Sequence, residues 1–404
     1  MAGFALTALP NQVAGLGAST AELGAYAAAI GLPWVLQPLW GPVVDRFGGM
    51  RMGRRRFWVL AALAGSLIAL SCLLWLGDAR PGGLSAIAAV FMAHSLFAAL
   101  MDTAIDAMII DHSREDQLGA ATACTRAGFV TGLAAGASIF AFLLPAVGLA
   151  RCGAILLALG ALAAILPLLV RESAGDARFS LRHGPHAAPV GLVPLLAELA
   201  RSVATPASLA LLLFCVMQDF FGALFRLPLG VHLIQQSGWA AESLSTAQAA
   251  VGLASGTVGA WLVGRWTDRV GPARSLTWLL GAAALAHLLA GVLVELGGAW
   301  AGPLAMSLPS ITSALCFVAL APAVMRASRG AVAASRFALY MAALNLGDVL
   351  GSGSAGFIMQ TGLGPGLAIL GMVAAAGYAV LSLCAATLVN GLSPIHESCV
   401  DRAK

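Results

Sequence analysis

Residues 41–48 read "GPVVDRFG" and residues 264–271 read "GRWTDRVG". Both are G-x-x-x-D-R-x-G, and their aspartates, Asp45 and Asp268, stand 223 residues apart in a chain of 404. One copy of so short a pattern is weak. Two copies, each following an apolar run in a corresponding place, predict a chain built from two similar halves. The pattern itself suits gating: Gly41, Gly48, Gly264 and Gly271 allow helices to approach, and Asp45–Arg46 and Asp268–Arg269 supply charges to bridge them.

Around these motifs the chain is 60% hydrophobic and 10% charged, against about 25% charged in an average soluble domain. Runs of about 20 apolar residues are long enough to cross a bilayer as helices. Twelve are predicted, near 1–17, 21–43, 57–76, 84–110, 118–146, 150–170, 207–236, 244–264, 275–294, 299–325, 331–360 and 365–390. The first, "MAGFALTALPNQVAGLG", lacks the basic start of a signal peptide and is short. Either its start lies upstream, or it begins at the membrane surface.

The expected fold is therefore an all-α membrane protein with two six-helix bundles, 1–170 and 207–390, and a tail over 391–404. The linker 171–206 is polar in its first half. Leu192, Leu195, Leu196 and Leu199 in its second half have helical spacing, as in a helix lying flat at the interface. With the N-terminus inside, 17 of the 22 basic residues fall in inside loops or the tail. The positive-inside rule then predicts cytoplasmic termini and, for a bacterial protein, the inner membrane. The run "RMGRRR" (51–56) suits anionic lipid, or serves as a plain inside anchor.

Ionisable residues inside a membrane are costly and by default mark function. In "AALMDTAIDAMII" (98–110), Asp102 and Asp106 lie one turn apart on one face. Arg126, at matching depth on the next helix, is their expected partner, in a role that either locks two helices or couples and gates them. Asp219 falls near the middle of its span. A desolvated carboxylate at that depth has the chemistry a proton site requires, and the competing reading is a structural bridge to Arg226 or Arg336. Asn11, Gln12, Gln218, Arg336, Asn345 and Asp348 are expected to line the central cavity, Asp348 within the small-residue run "NLGDVLGSGSAG". His94, His232 and His287 read as satisfied interior or interface residues rather than a proton relay. The seven cysteines are scattered, with no pair at metal-ligand spacing, so packing is expected of them and no metal or other cofactor is implied.

A parallel repeat of two six-helix bundles, with the repeated motif after the second helix of each, resembles the major facilitator superfamily over nearly the whole chain. Within it, "GLPWVLQPLWGPVVDRFGGMRMGRRR", "ALMDTAIDA", "TRAGFVTGLAAG" and "AASRFALYMAAL" resemble the muropeptide permease and acetyl-CoA transporter family, in its shorter, siderophore-transporting branch. That resemblance carries the family's aspartates to Asp102 and Asp106 and its arginine to Arg126. In the seventh helix the aspartate is kept at Asp219, while Val216 occupies the family's lysine position and Met101 a glutamine position.

It implies a proton-coupled importer working by alternating access, with a siderophore or muropeptide-like solute, protons and membrane lipid as partners. A monomer with no nucleic-acid partner is expected. The alternatives are a proton-driven exporter of a drug or siderophore, and a non-transporting receptor or assembly factor. Enzymatic function is not expected. In "HSRED" (112–116), Asp116 stands one residue short of the acyltransferase H-x-x-x-x-D spacing, and no Gly-rich phosphate loop is present.

Overall fold

Backbone polar groups inside hydrocarbon must be satisfied within the chain, and the apolar runs meet that demand as helices. The structure is a computed structural model and describes residues 1–46, 50–112, 118–182, 192–297, 300–328, 333–360 and 366–391. The described residues form the twelve helices of the two halves. α1 comprises the π-turn Phe4–Ala8 and Leu9–Gly15; α2 comprises Thr20–Val35, a 3-10 turn Gln37–Leu39 and Trp40–Arg46. Then come α3 (Arg56–Ser71), α4 (Leu84–His112), α5 (118–147) and α6 (149–169). The second half holds α7 (Pro206–Gln235), α8 (Ala241–Ala254, π-turn Ser255–Gly259, Ala260–Val270), α9 (Pro272–Leu296), α10 (Ala301–Ser328), α11 (Ala333–Gln360) and α12 (Leu367–Gly391). A further helix, Leu192–Val203, belongs to the linker.

Among the described residues, nine helical stretches are long and apolar enough to span a membrane, and the 43-residue one at 127–169 covers parts of both α5 and α6. α1 is too short to be counted with them, and α11 is diluted by Gly, Ser, Asn, Asp and Arg.

Local chemistry explains the irregular turns. Leu9 N–H bonds Phe4 O, five residues back, and Pro10 has no N–H, so Ala5 O has no donor on its own helix. The Tyr26 hydroxyl donates to it across the bundle at 2.9 Å. Ser19 caps α2 through a reciprocal pair: Ser19 Oγ accepts from Glu22 N at 3.2 Å, and Glu22 Oε2 accepts from Ser19 N at 2.8 Å. Downstream in α2, Pro33 and Pro38 precede and interrupt the axis at the 3-10 turn. α5 and α6 join through one residue, Gly148, at φ 79° and ψ 170°, a conformation open to glycine alone.

In each half the helices pack through small residues. α11 meets α7 along Gly347 and Gly351: a Cβ on Gly347 would collide with Val216 O, and one on Gly351 would fall 2.9 Å from the Ala223 Cβ. On another side α11 meets α2, where a Cβ on Gly24 would lie 2.7 Å from Ser352 O and one on Gly356 would lie 3.1 Å from Ala21 Cα. The halves also touch where α5 meets α8, through Ala134, Ala137 and Ala249, and where α1 meets α7 and α8.

One face of the molecule gathers the loops after α2, α6 and α8 and is rich in arginine. Arg56 there is not a free cation. It is 2% exposed and donates five hydrogen bonds to carbonyls: Pro167 O (2.6 Å), Leu168 O (2.8 Å), Met52 O (3.1 Å), Ala177 O (3.2 Å) and Arg178 O (2.9 Å). Two of these belong to the last turn of α6, whose carbonyls lack intrahelical donors. Glu172 Oε2 in turn accepts from Arg55 N (2.8 Å) and Arg56 N (3.0 Å), capping the start of α3. The lipid-facing expectation for the basic run is thus corrected at Arg56, whose guanidinium fastens the 50–56 loop to the 167–178 segment.

Arg56→Ala is expected to cost about 3 kcal/mol, because it strands charge-assisted acceptors, seen as a clear fall in Tm of the purified protein. Arg80→Ala, breaking a 3.4 Å surface pair with Asp78, is expected to change stability by less than about 0.5 kcal/mol. A parallel contrast holds for glycines: Gly347→Ala should lower Tm strongly, whereas Gly264→Ala should not, since its Cβ would meet nothing within 4 Å.

Candidate functional site

α7 reads "FCVMQDFFGALFRLPL" over 214–229, and its helical period sorts these residues into rows. Gln218, Gly222 and Phe225 form a row turned into the C-terminal bundle. Tyr378 Oη on α12 donates to Gln218 O at 2.8 Å, a Cβ on Gly222 would lie 3.0 Å from Tyr378 Oη, and the Phe225 ring lies 5.6 Å from His287. Val216, Phe220 and Ala223 form the row against α11. Between the two lies a third row, holding Asp219 and, seven residues on, Arg226.

α11 is sorted the same way. Gly347 and Gly351 face α7, and Val349, Ser352 and Gly356 face α2. Asp348 falls between those faces and opens onto the seam between the halves. The two intermediate rows meet, and Arg226 Nη2 donates to Asp348 Oδ1. Protein surrounds Arg226, yet 55% of its side chain and 42% of that of Asp348 are open. The pair therefore borders a solvent-accessible space inside the helix ring. Asp219 lies on the same face two turns away, its charge reaching Arg226, Tyr378 and Cys316 of α10.

The expected residues separate into groups. Asp219 is half-buried, and Arg226, weighed as a bridging partner for Asp219, is paired with Asp348. Gln218 does not line the cavity: it is 1% exposed, because consecutive helical residues point about 100° apart, and only Asp219 of the two turns inward. Among the described residues neither side-chain polar atom of Gln218 has a partner, nor has His287 Nε2. His287 is therefore not fully satisfied as expected; its Nδ1 bonds Ala283 O at 2.8 Å, and its ring packs 4.8 Å from Tyr378. Arg336 bonds Ala327 O at 3.0 Å, joining the start of α11 to the end of α10. Asn345 is half-buried on α11 and Gln12 half-buried on α1.

In the N-terminal half, Asp102 accepts from Gln37 Nε2 of α2 at 2.8 Å, and Asp106 is exposed one turn on. The expected contact with Arg126 lies outside the described residues, as do the side chains of Asp45, Arg46 and Asp268 and all of Gly48. Of the rest of the repeated motif, Gly41 lies 4.0 Å from Ser335 Oγ at the start of α11, measured from a built Cβ, and Arg269 is exposed. Two glycines depart from the close-approach expectation: Gly264 borders open space, and Gly271 is required by its φ of 87° at the end of α8.

Asn11 is 8% exposed and joins two helices rather than lining an open space. Its Nδ2 donates to Ser245 Oγ (2.9 Å) and Gln248 Oε1 (2.8 Å) of α8, near the face opposite the arginines. Beside it, Gln235 Nε2 at the end of α7 donates to Ala14 O (2.9 Å) and Ala18 O (2.7 Å). Both contacts pin α1 across the two halves. Gln37, Arg226, Gln235, Ser245, Gln248 and Tyr378 were not singled out as site residues by pattern. Arg226 alone carried a readable signal, its heptad spacing from Asp219.

The family model described as Major Facilitator Superfamily matches residues 1–352. The chain belongs to the major facilitator superfamily. It is accordingly a multi-pass membrane protein of the secondary-transporter class. No curated protein matches it significantly. Among solved structures it resembles the nucleoside transporter NupG at 13% identity (TM-score 0.67, covering 96% of this chain and 95% of that one). It also resembles a POT family transporter in complex with a thioalcohol conjugated peptide, at 14% identity (TM-score 0.66, 97% and 94% covered). The human organic anion transporter MFSD10 matches at 16% identity (TM-score 0.61, 91% and 84% covered). Likeness at these identities speaks for the shared fold.

Loosening the polar closure tests its role. In a background without native cysteines, a cysteine at Leu244, 0% exposed beside α1, should react with a maleimide slowly. Combining Asn11→Ala with Gln235→Ala should speed that reaction several-fold while leaving Tm within a few degrees.

Proposed function

We propose that the chain is a proton-coupled importer of a siderophore or muropeptide-like solute, working by alternating access in a bacterial inner membrane with both termini in the cytoplasm. The observation that carries this reading is the Arg226–Asp348 pair, about half open, on the face of α7 that also carries Asp219, with α1 pinned to α7 and α8 by Gln235 and Asn11. A transporter needs charged groups that are reachable from one side at a time, and this arrangement supplies them.

Asp219 is the proposed proton carrier, with Asp102, Asp106 and Arg126 as the coupling group of the N-terminal half. A carboxylate that is reached from one side at a time can take up a proton there and release it to the other. Each proton moving inward contributes about 2.3 kcal/mol per 100 mV of membrane potential. The repeated motif is proposed to gate the arginine-rich face. Direction and cargo class rest on the resemblance carried by residues 31–56 and 99–107.

The test is proteoliposomes loaded with a pH dye and given a ferri-siderophore panel, then an anhydromuropeptide. Internal acidification with one class, reduced at least tenfold in Asp219→Asn, is the expected result. Unchanged flux in that variant would remove Asp219 from the mechanism. Acidification only when a cationic drug is preloaded inside would reverse the direction to export.

A further inference from the structure

The Arg226–Asp348 pair has more capacity than it uses. A guanidinium carries five N–H donors and a carboxylate two acceptor oxygens. Among the described residues Arg226 makes one hydrogen bond, from Nη2 to Asp348 Oδ1. The remaining donors and the second oxygen belong to side chains that are 55% and 42% open toward the interior space. The pair is not what joins its two helices. The joint is the backbone contact of Gly347 with Val216 O and of Gly351 with Phe220 O, on the neighbouring row. It presents a positive group and a negative group, side by side, each with about half of its side chain open.

We infer that this pair is a two-charge template for a zwitterionic headgroup whose carboxylate and ammonium sit on the same or adjacent carbons, as in a free α-amino-acid end. The cargo carboxylate takes the spare guanidinium donors, a planar, charge-assisted match, while its ammonium donates to the second oxygen of Asp348. Four alternating charges then neighbour their opposites. A purely anionic group approaching Arg226 is repelled by Asp348 beside it, and a purely cationic one at Asp348 by Arg226. The ion pair selects against both, by repulsion as well as by attraction. This rests on the transporter reading above and narrows it: the amino-acid stem of a muropeptide meets the requirement, whereas a ferric tris-catecholate, a polyanion, does not.

The test is equilibrium binding to the purified full chain in detergent, with protein-free micelles as background. The probes are Nε-dansyl-L-lysine, with both α-charges free, its α-N-acetyl form, its α-carboxamide and the doubly blocked form. The free probe is expected to half-saturate at a concentration at least tenfold lower than either singly blocked form. Arg226→Gln should erase discrimination between free acid and carboxamide, and Asp348→Asn discrimination between free amine and N-acetyl. The charge-swapped R226D/D348R, whose unliganded Tm reports its folding, should keep the preference for the zwitterion.

Equal binding of a singly blocked probe, unchanged discrimination in the variants, or loss of preference in a folded swap would overturn the inference. Absence of free-probe binding by protein that still acidifies liposomes with another cargo would overturn it and leave the transporter reading standing. Discriminating binding without proton flux for any cargo would do the reverse.

Discussion

The rest of the structure depends on how closely α11 approaches two partners at once. Gly347 and Gly351 put its backbone against α7, and Ser352 and Gly356 put it against α2 of the other half. Helices in hydrocarbon gain no hydrophobic drive from meeting one another, so close van der Waals contact between small residues has to supply it. Once both faces are committed, geometry leaves Asp348 the arc between them. The same reasoning on α7 leaves Asp219 and Arg226 the arc between Tyr378 and α11. The charged row is therefore a consequence of packing: the glycines decide where the acids and the base point.

That placement resolves an energetic difficulty. Three ionisable side chains in the middle of an apolar bundle would be expensive if dry. Here the pair is about half open, which lowers the desolvation cost and also lowers what the pair adds to stability, to about 0–1 kcal/mol. Arg56 shows the other solution. It is almost fully buried and balanced by five carbonyls, with Glu172 on adjacent backbone N–H groups. A cation held that way stays in place. One held as Arg226 is can exchange partners, which is the property a transport site needs and a scaffold residue does not.

Much of the fold was legible because its signals are additive along the chain. Hydropathy located the spans, arginine density favoured one face, and the repeated G-x-x-x-D-R-x-G placed corresponding loops. Depth was also legible, so Asp219 and Asp348 could be chosen as interior groups. Facing was not. Gln218 and Asp219 are neighbours in sequence, and their roles separate only when Tyr378 and Gly347, 160 and 128 positions further on, define what α7 packs against. Asn11 was expected to line a space and instead joins α1 to α8, through Ser245 and Gln248 more than 230 residues away. Arg54, Arg55 and Arg56 look alike in a basic run, yet Arg54 is exposed while Arg55 and Arg56 are buried, and Arg56 ends on the last turn of α6.

The two kinds of contact between the halves differ in what opening them costs. Along α2 and α11 the contact is small residue against backbone, at Gly24, Ser352 and Gly356, so the helices can roll on each other with little loss of polar contact. At the face opposite the arginines the contact is amide to hydroxyl, amide to amide, and amide to the terminal carbonyls Ala14 O and Ala18 O. Neutral hydrogen bonds of this sort are worth only about 1 kcal/mol each net, since water replaces them when they break. Four of them hold the contact against thermal motion and still give way to a differential binding energy of a few kcal/mol. A charged latch at the same place, dry and fully paired, would cost several kcal/mol to separate. Placing amides at the closure and the ion pair at the open centre puts the cheap interaction where the protein has to move and the selective one where the cargo has to be recognised.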